Sequence, residues 1–295
     1  MKVQCPTCSA EFAVPDTISV ATCPYCGTTF KVESREKVGE HFFFPPIGKD
    51  PAGLLLKFIS REYGAPADIV DAKVKEKVLH YVPVHFFYIH GNLTGSTAEE
   101  VMFIGIPAVK EFTWLLRDYP FPVVGKRFFD ENIVKKGKYY EPEIDRKDAE
   151  KEAISKVVEA IRKEASDSGD WFSEERLKLD VHYQGLVHYP IWEVHYEYGG
   201  EEFHGFIDGA DGRVIEAEYP MTSEARKKAG VLGGGVLAAG IVAGIIFGTI
   251  GGVWGFLGGF IPGLAGAVPI LFKSAHRIQS TGQIRRVYEH IHFRP

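Results

Sequence analysis

From Ala229 to Phe272 the chain carries no charged residue for 44 positions, and Arg226-Lys227-Lys228 and Lys273 bracket the run. A soluble core helix does not reach that length. Drawn as one straight helix it would extend about 66 Å, roughly twice the hydrocarbon thickness of a bilayer. The sequence therefore predicts a transmembrane helical hairpin at 229–272, two spans joined by a tight turn near Thr249–Gly252. Cations flank both ends and the turn is uncharged. The positive-inside bias then expects a multi-pass membrane protein with both termini cytoplasmic and a basic tail at 273–295. Trp254 falls beside the turn, at the far interface. The competing reading is a re-entrant hairpin that never crosses, prompted by Pro262 and Pro269 in the second span.

Charge divides the chain the same way. The formal net charge is −5. Residues 229–295 hold Lys273, Arg277, Arg285, Arg286 and Arg294 against Glu289, a net of +4, which leaves −9 on residues 1–228. So acidic a front end is a poor match for phosphate backbones, which argues against nucleic acid as a partner. The basic tail suits the anionic face of a membrane.

All four cysteines lie near the start, as Cys5-Pro6-Thr7-Cys8 and Cys23-Pro24-Tyr25-Cys26. Met1 leads straight into this motif, so no secretory leader is expected and the thiols are read as reduced, in a cytosol. Two such knuckles, 14 residues apart, can offer four thiolates tetrahedrally to one ion. Pro6, Pro24 and Gly27 fit the tight turns, and 11–14 and 28–32 read as short strands after each knuckle. Four thiolates leave no open position. The expectation is one structural Zn2+ per chain, replacing a core that about 30 residues cannot build. Iron in a rubredoxin-like site and a redox dithiol pair are the competing chemistries. Lys2, Lys31 and Arg35 balance Glu11, Asp16 and Glu33, so this segment has no basic stripe for nucleic acid.

The cysteine pattern resembles the small N-terminal zinc ribbons of prokaryotic proteins with Cys-Pro-x-Cys…Cys-Pro-x-Cys-Gly, departing at Ser9, where many first knuckles carry glycine.

The middle of the chain reads as a duplicated α+β unit. Asp50-Pro51 offers an N-cap and a first-turn proline, followed by a buried stripe of Leu54, Leu55, Phe58 and Ile59, with Gly64 as C-cap. A second short helix over 66–78 leads to an aromatic strand over 80–90. The order recurs. A helix over 145–165 is followed, after Gly169, by a strand over 187–198. Strands over 202–208 and 213–219 are closed by an Ala210-Asp211-Gly212 turn. Tyr81-Val82-Pro83-Val84 and Tyr189-Pro190-Ile191-Trp192 look like one strand in two copies.

The fold class expected is thus α+β: a zinc ribbon at 1–33, a linker at 34–49, repeats at 50–140 and 141–222, then the two-helix transmembrane hairpin and tail. Gly64-Ala65-Pro66, Tyr81-Val82-Pro83 and the stretch from Tyr189 through Tyr198-Gly199-Gly200 to Gly212-Arg213-Val214 resemble TFIIB-type zinc-ribbon-containing prokaryotic membrane proteins of unknown function. The resemblance implies this architecture and no chemistry. The hairpin around Ile207-Asp208-Gly209 is also similar, more weakly, to PepSY-type strands.

No nucleophile elbow, Walker A loop or His-Glu-x-x-His helix is present, so no catalytic residue is assigned. His80, His85 and His90 alternate across a strand and do not converge. Glu193, His195 and Glu197 share a face, with His204 on the next strand; such a set reads as a solvated sheet face before a divalent-ion site. Asp208-Gly209-Ala210-Asp211-Gly212 lacks EF-hand spacing and is explained as a hairpin turn. His290-Ile291-His292 is read as tail. Gly240, Gly244, Gly248 and Gly252 repeat every fourth residue, as do Gly251, Gly255, Gly259 and Gly263, the small-residue spacing that lets helix backbones approach. One stripe would pack the spans together; the other would serve a homo-oligomer or another membrane protein.

Two functions follow as expectations. The first is a membrane-anchored zinc-ribbon adaptor that presents a cytosolic body to protein partners at the bilayer. The alternative is a membrane-associated enzyme or transport accessory using the His195 face on a lipid-borne or small-molecule substrate.

Overall fold

Two long antiparallel strands form the spine of the body. The computed structural model describes residues 1–6, 9–25, 29–35, 41–129, 132–272 and 277–280. Cys8, Cys26, Gly27, Lys273 and the tail beyond 280, with His290 and His292, lie outside the described residues. Element order is β1 (Lys2–Gln4), β2 (Glu11–Ala13), β3 (Val20–Thr22), β4 (Thr29–Lys31), β5 (His41–Phe43), α1 (Pro51–Ile59), β6 (Lys73–Leu93), β7 (Glu99–Pro107), α2 (Lys110–Leu116), β8 (Arg127–Phe128), α3 (Ile133–Lys136), β9 (Lys138–Tyr139), α4 (Arg146–Asp167), β10 (Leu177–Tyr198), β11 (Glu201–Asp208), β12 (Val214–Pro220), α5 (Ser223–Phe272) and β13 (Arg277–Ser280). The fold is mixed α+β, with antiparallel pairing dominant and one long apolar C-terminal helical segment.

β6 and β10 pair along nearly their whole length, Leu177 opposite Leu93 and Glu197 opposite Lys73. Both outrun the expected strands. No helix forms over 66–78: only a 3-10 turn at Ile69–Asp71 precedes β6. The Lys73–Val78 segment has helix-tolerant lysines and glutamate, but pairing with Glu193–Glu197 overrides that local preference. Gly64 does not cap α1, which ends on Ser60; its φ of +77° instead opens a close approach to Met221 and Ala225. Asp50 does cap α1, its carboxylate accepting from the Gly53 N–H at 3.0 Å. Asp145 caps α4 through Asp148 in the same way.

Strand alternation sends Val82, Val84 and Phe86, with Val187, Tyr189 and Ile191, to one face, under Phe112 and Leu116 of α2. The opposite face carries both larger helices. At one end Ala149, Ala153, Val157, Ile161 and Ala165 of α4 cover Phe87 and Ile89 of β6. At the other end Leu55, Leu56 and Ile59 of α1 cover Val194, Tyr196, Phe203 and Ile207. Each helix therefore packs on the strands of the other half. Each fully buried Phe or Ile here contributes about 2–3 kcal/mol of apolar burial. The two halves also share register: Val84 and Ile191 each follow a proline, and each faces the last residue of its neighbouring strand, Pro107 and Asp208.

Candidate functional site

The cysteine segment folds as two hairpins, β1–β2 across the first knuckle and β3–β4 across the second. Cys5 and Cys23 are 2% and 1% exposed. The Cys5 N–H donates to the Ala10 carbonyl at 2.9 Å, and the Ser9 N–H to the Cys5 carbonyl at 3.0 Å. Ser9 has φ of +61°, the left-handed region that glycine occupies without strain, which accounts for glycine at this point of comparable knuckles. Among the described residues no three His, Cys, Asp or Glu side chains converge as a metal site. That set contains only two of the four candidate thiolates.

These hairpins sit on the body. Val14, Ile18, Ala21 and Phe30 pack with Leu79, Tyr81, Phe129 and Ile133. The Ser19 N–H and hydroxyl donate to Glu141 at 3.0 and 2.7 Å. Tyr25, inside the second knuckle, is 71% exposed.

On the sheet face, three of the expected residues come together and one does not. His195 Nε2 lies 3.0 Å from Glu193, and His204 is the cross-strand partner of His195 with rings 6.0 Å apart. Glu197 pairs instead with Lys75, which β6 bulges outward opposite the step from His195 to Tyr196. An unexpected member replaces it: His80 Nε2 lies 2.9 Å from the second Glu193 oxygen, and its Nδ1 lies 2.8 Å from the Tyr140 hydroxyl. Local sequence carries no sign of that pairing, because it depends on the register of β6 against β10. Burial lowers the His80 pKa, and Glu193 partly opposes the shift. A neutral buried imidazole thus joins Tyr140, through one carboxylate, to a partly exposed imidazole, a chain able to hold and pass a proton. His85 binds Tyr183 and the Ile144 carbonyl on the other face, and His90 binds Glu99, so the three strand histidines do not converge.

Asp208 is fully buried and closes the β11–β12 turn. Its carboxylate accepts from the Ala210 and Asp211 N–H groups at 2.7 and 3.2 Å, and from the hydroxyls of Tyr119 and Tyr189. It therefore anchors the turn the sequence implied and also ties that turn to β10 and to the segment after α2 through the two tyrosines. Burial raises its pKa.

His188 and His41 form a second buried pair, rings 4.9 Å apart, with Tyr139 bonded to His188 Nε2 at 3.1 Å. Burial pushes His188 down to about 3 and lowers His41, whose neighbour His188 adds to the effect. The folded state keeps both neutral, whereas the unfolded chain protonates near pH 6.5. Stability is therefore complete above that pH and is lost as pH falls toward the folded values. His188 alone accounts for about 2 kcal/mol between pH 7.5 and 5. Chemical denaturation of the full chain in detergent should show a lower midpoint at pH 5, and His188→Gln should flatten that dependence.

The apolar segment Ser223–Phe272 is helical except at Gly252, where φ is +59°. Ser223–Val268 qualifies as a candidate membrane span by length and composition, with a mean hydropathy of 2.2 and 11% burial in its most apolar window. Residues on the two sides of Gly252 touch: a Cβ on Gly240 would lie 2.6 Å from Gly263 Cα, and one on Gly244 2.9 Å from the Phe256 carbonyl. Gly259 meets Gly244 as well. Gly240, Gly244, Gly259 and Gly263 thus meet across the two halves, whereas Gly251 and Gly252 have nothing within 4 Å of a built Cβ. Ile245, Ile246, Ile250, Val253 and Trp254 point outward and are exposed.

The ends of this segment are tied together. β13 pairs antiparallel with β12, Arg277 opposite Pro220, so the described part of the expected tail is a sheet strand. No protein-family model, curated protein or solved structure matches this chain.

Proposed function

We propose that the chain is a membrane-anchored zinc-ribbon adaptor that holds its body against the cytoplasmic face of a bilayer for protein partners. The observation that carries this reading is the return of the chain to its starting point. It leaves the sheet at Pro220 and rejoins it at Arg277, its ladder partner, after a helical excursion that is uncharged from Ala229 to Phe272 and departs from helical geometry at Gly252. A segment with adjacent ends crosses a membrane an even number of times. Each half of about 20 or more apolar residues is long enough for one crossing. Arg226, Lys227 and Lys228 then favour the cytoplasm for the base. In this reading Cys5, Cys8, Cys23 and Cys26 hold one structural zinc, as in the TFIIB-type ribbons the sequence resembles. The ribbon is seated on Leu79 and Tyr81, with Tyr25 outward as a contact point.

Membrane-impermeant thiol labelling tests the anchor. Gly251→Cys should react only from the far side of sealed vesicles and Ser223→Cys only from the side of the body. Labelling of both from one side would mean a re-entrant or peripheral segment.

One observation favours the enzyme or transport-accessory alternative: the bonded chain Tyr140–His80–Glu193–His195. That reading requires His195→Ala to abolish an activity while zinc content and membrane insertion persist.

A further inference from the structure

At the base of α5 the acidic body gathers cations beside the apolar segment. Arg226 is half-buried, and its Nε has no hydrogen-bond partner among the described residues. Lys227 and Lys228 are exposed. The loop after α1 is fixed against this turn: the Thr222 N–H donates to the Gly64 carbonyl at 2.8 Å, and Met221 and Ala225 pack on Gly64. That loop brings exposed Arg61 and Tyr63, the latter 59% exposed. Backbone pairing sets Arg277 beside Pro220 at the same end. The acids in these stretches are Glu62 and Glu224, and Glu224 is engaged by Lys228 at 2.7 Å.

We propose that this collar, built on Arg61, Arg226, Lys227 and Lys228, binds the headgroups of anionic phospholipids. The inference rests on the membrane reading above and adds the lipid class. Only two residues, Met221 and Thr222, separate β12 from α5, so the collar is carried to headgroup depth by a connection too short to swing. Phosphate oxygens accept from guanidinium and ammonium groups, and each cation near an anionic surface strengthens attachment. Tyr63 offers an aromatic ring with a polar tip, the type favoured at that depth. The rest of residues 1–228 is strongly acidic and is repelled by the same surface. Attraction at one end with repulsion elsewhere holds the body upright over the bilayer.

The test uses the full chain in detergent, titrated with phosphatidylglycerol or phosphatidylcholine and read by native mass spectrometry. The wild type should retain phosphatidylglycerol roughly tenfold better. Arg226→Gln/Lys227→Gln/Lys228→Gln should reduce that preference to about twofold or less. Arg61→Gln, outside the inserted helix, should lower it by about threefold. Absence of preference in the wild type, or preference unchanged in both variants, overturns the proposal. Displacement of the lipid by millimolar glycerol phosphate also overturns it, since the ligand would then be a soluble phosphate. Carbonate extraction separates the two levels. Protein that leaves the membrane contradicts the anchor itself, whereas protein that stays without lipid preference contradicts only the collar.

Discussion

Cys5→Ser is expected to abolish zinc binding and to unseat the ribbon. Purified wild type should carry about one zinc per chain by elemental analysis, and the variant close to none. The two N-terminal hairpins have three-residue strands and little core of their own, so in the proposed zinc ribbon metal binding and folding would be one equilibrium. Structural zinc in such small units is worth on the order of 10 kcal/mol, at least as much as the burial of Val14, Ile18 and Phe30 against the body supplies. Loss of the ribbon should uncover Leu79 and Tyr81, now 6% and 0% exposed, and raise dye binding and protease sensitivity at 1–40. Stoichiometric iron in the wild type would contradict the metal assignment. Full retention of zinc by the variant would contradict the ligand set.

Gly263→Leu is expected to separate the halves of the helical segment. A side chain at Gly263 would occupy the space of the Gly240 backbone, and no neighbouring rotamer can yield it. Overpacking of this kind costs about 1–3 kcal/mol or more, which corresponds to a melting point lower by roughly 10 °C for a domain of this size. Gly258→Leu supplies the internal control, because nothing lies within 4 Å of a Cβ built there. Thermal melting in detergent should distinguish the two substitutions; equal effects would mean that the glycine contact does not hold the segment together.

What the sequence reveals of this fold follows a physical divide. Elements with their own signals are legible: the Asp50 cap, the α4 stripe, the Asp208–Gly212 turn, and the long apolar run of the C-terminal helical segment. Elements set by partners far along the chain are not. Lys73–Val78 has the composition of a helix and becomes strand because β10 lies beside it. The exchange of α1 and α4 between halves leaves no local trace, since each helix shows the same apolar stripe whichever sheet it covers. At the sheet face, alternation placed Glu193 and His195 correctly. It could not foresee His80, or that Lys75 would take Glu197 away. The glycine periodicity is visible in the sequence, yet only three-dimensional packing shows which of its members, Gly240, Gly244, Gly259 and Gly263, meet one another.

In the proposed adaptor a metal-shaped tip, held at the membrane, contacts a protein partner. A photocrosslinking residue at Tyr25, introduced in the full chain within native membranes, tests it most directly. A discrete heterologous adduct is expected, one that disappears in the Cys5→Ser/Cys8→Ser background while the protein stays membrane-integral. Self-adducts alone, or an adduct unaffected by loss of the cysteines, would contradict it and return attention to the His80–Glu193–His195 face.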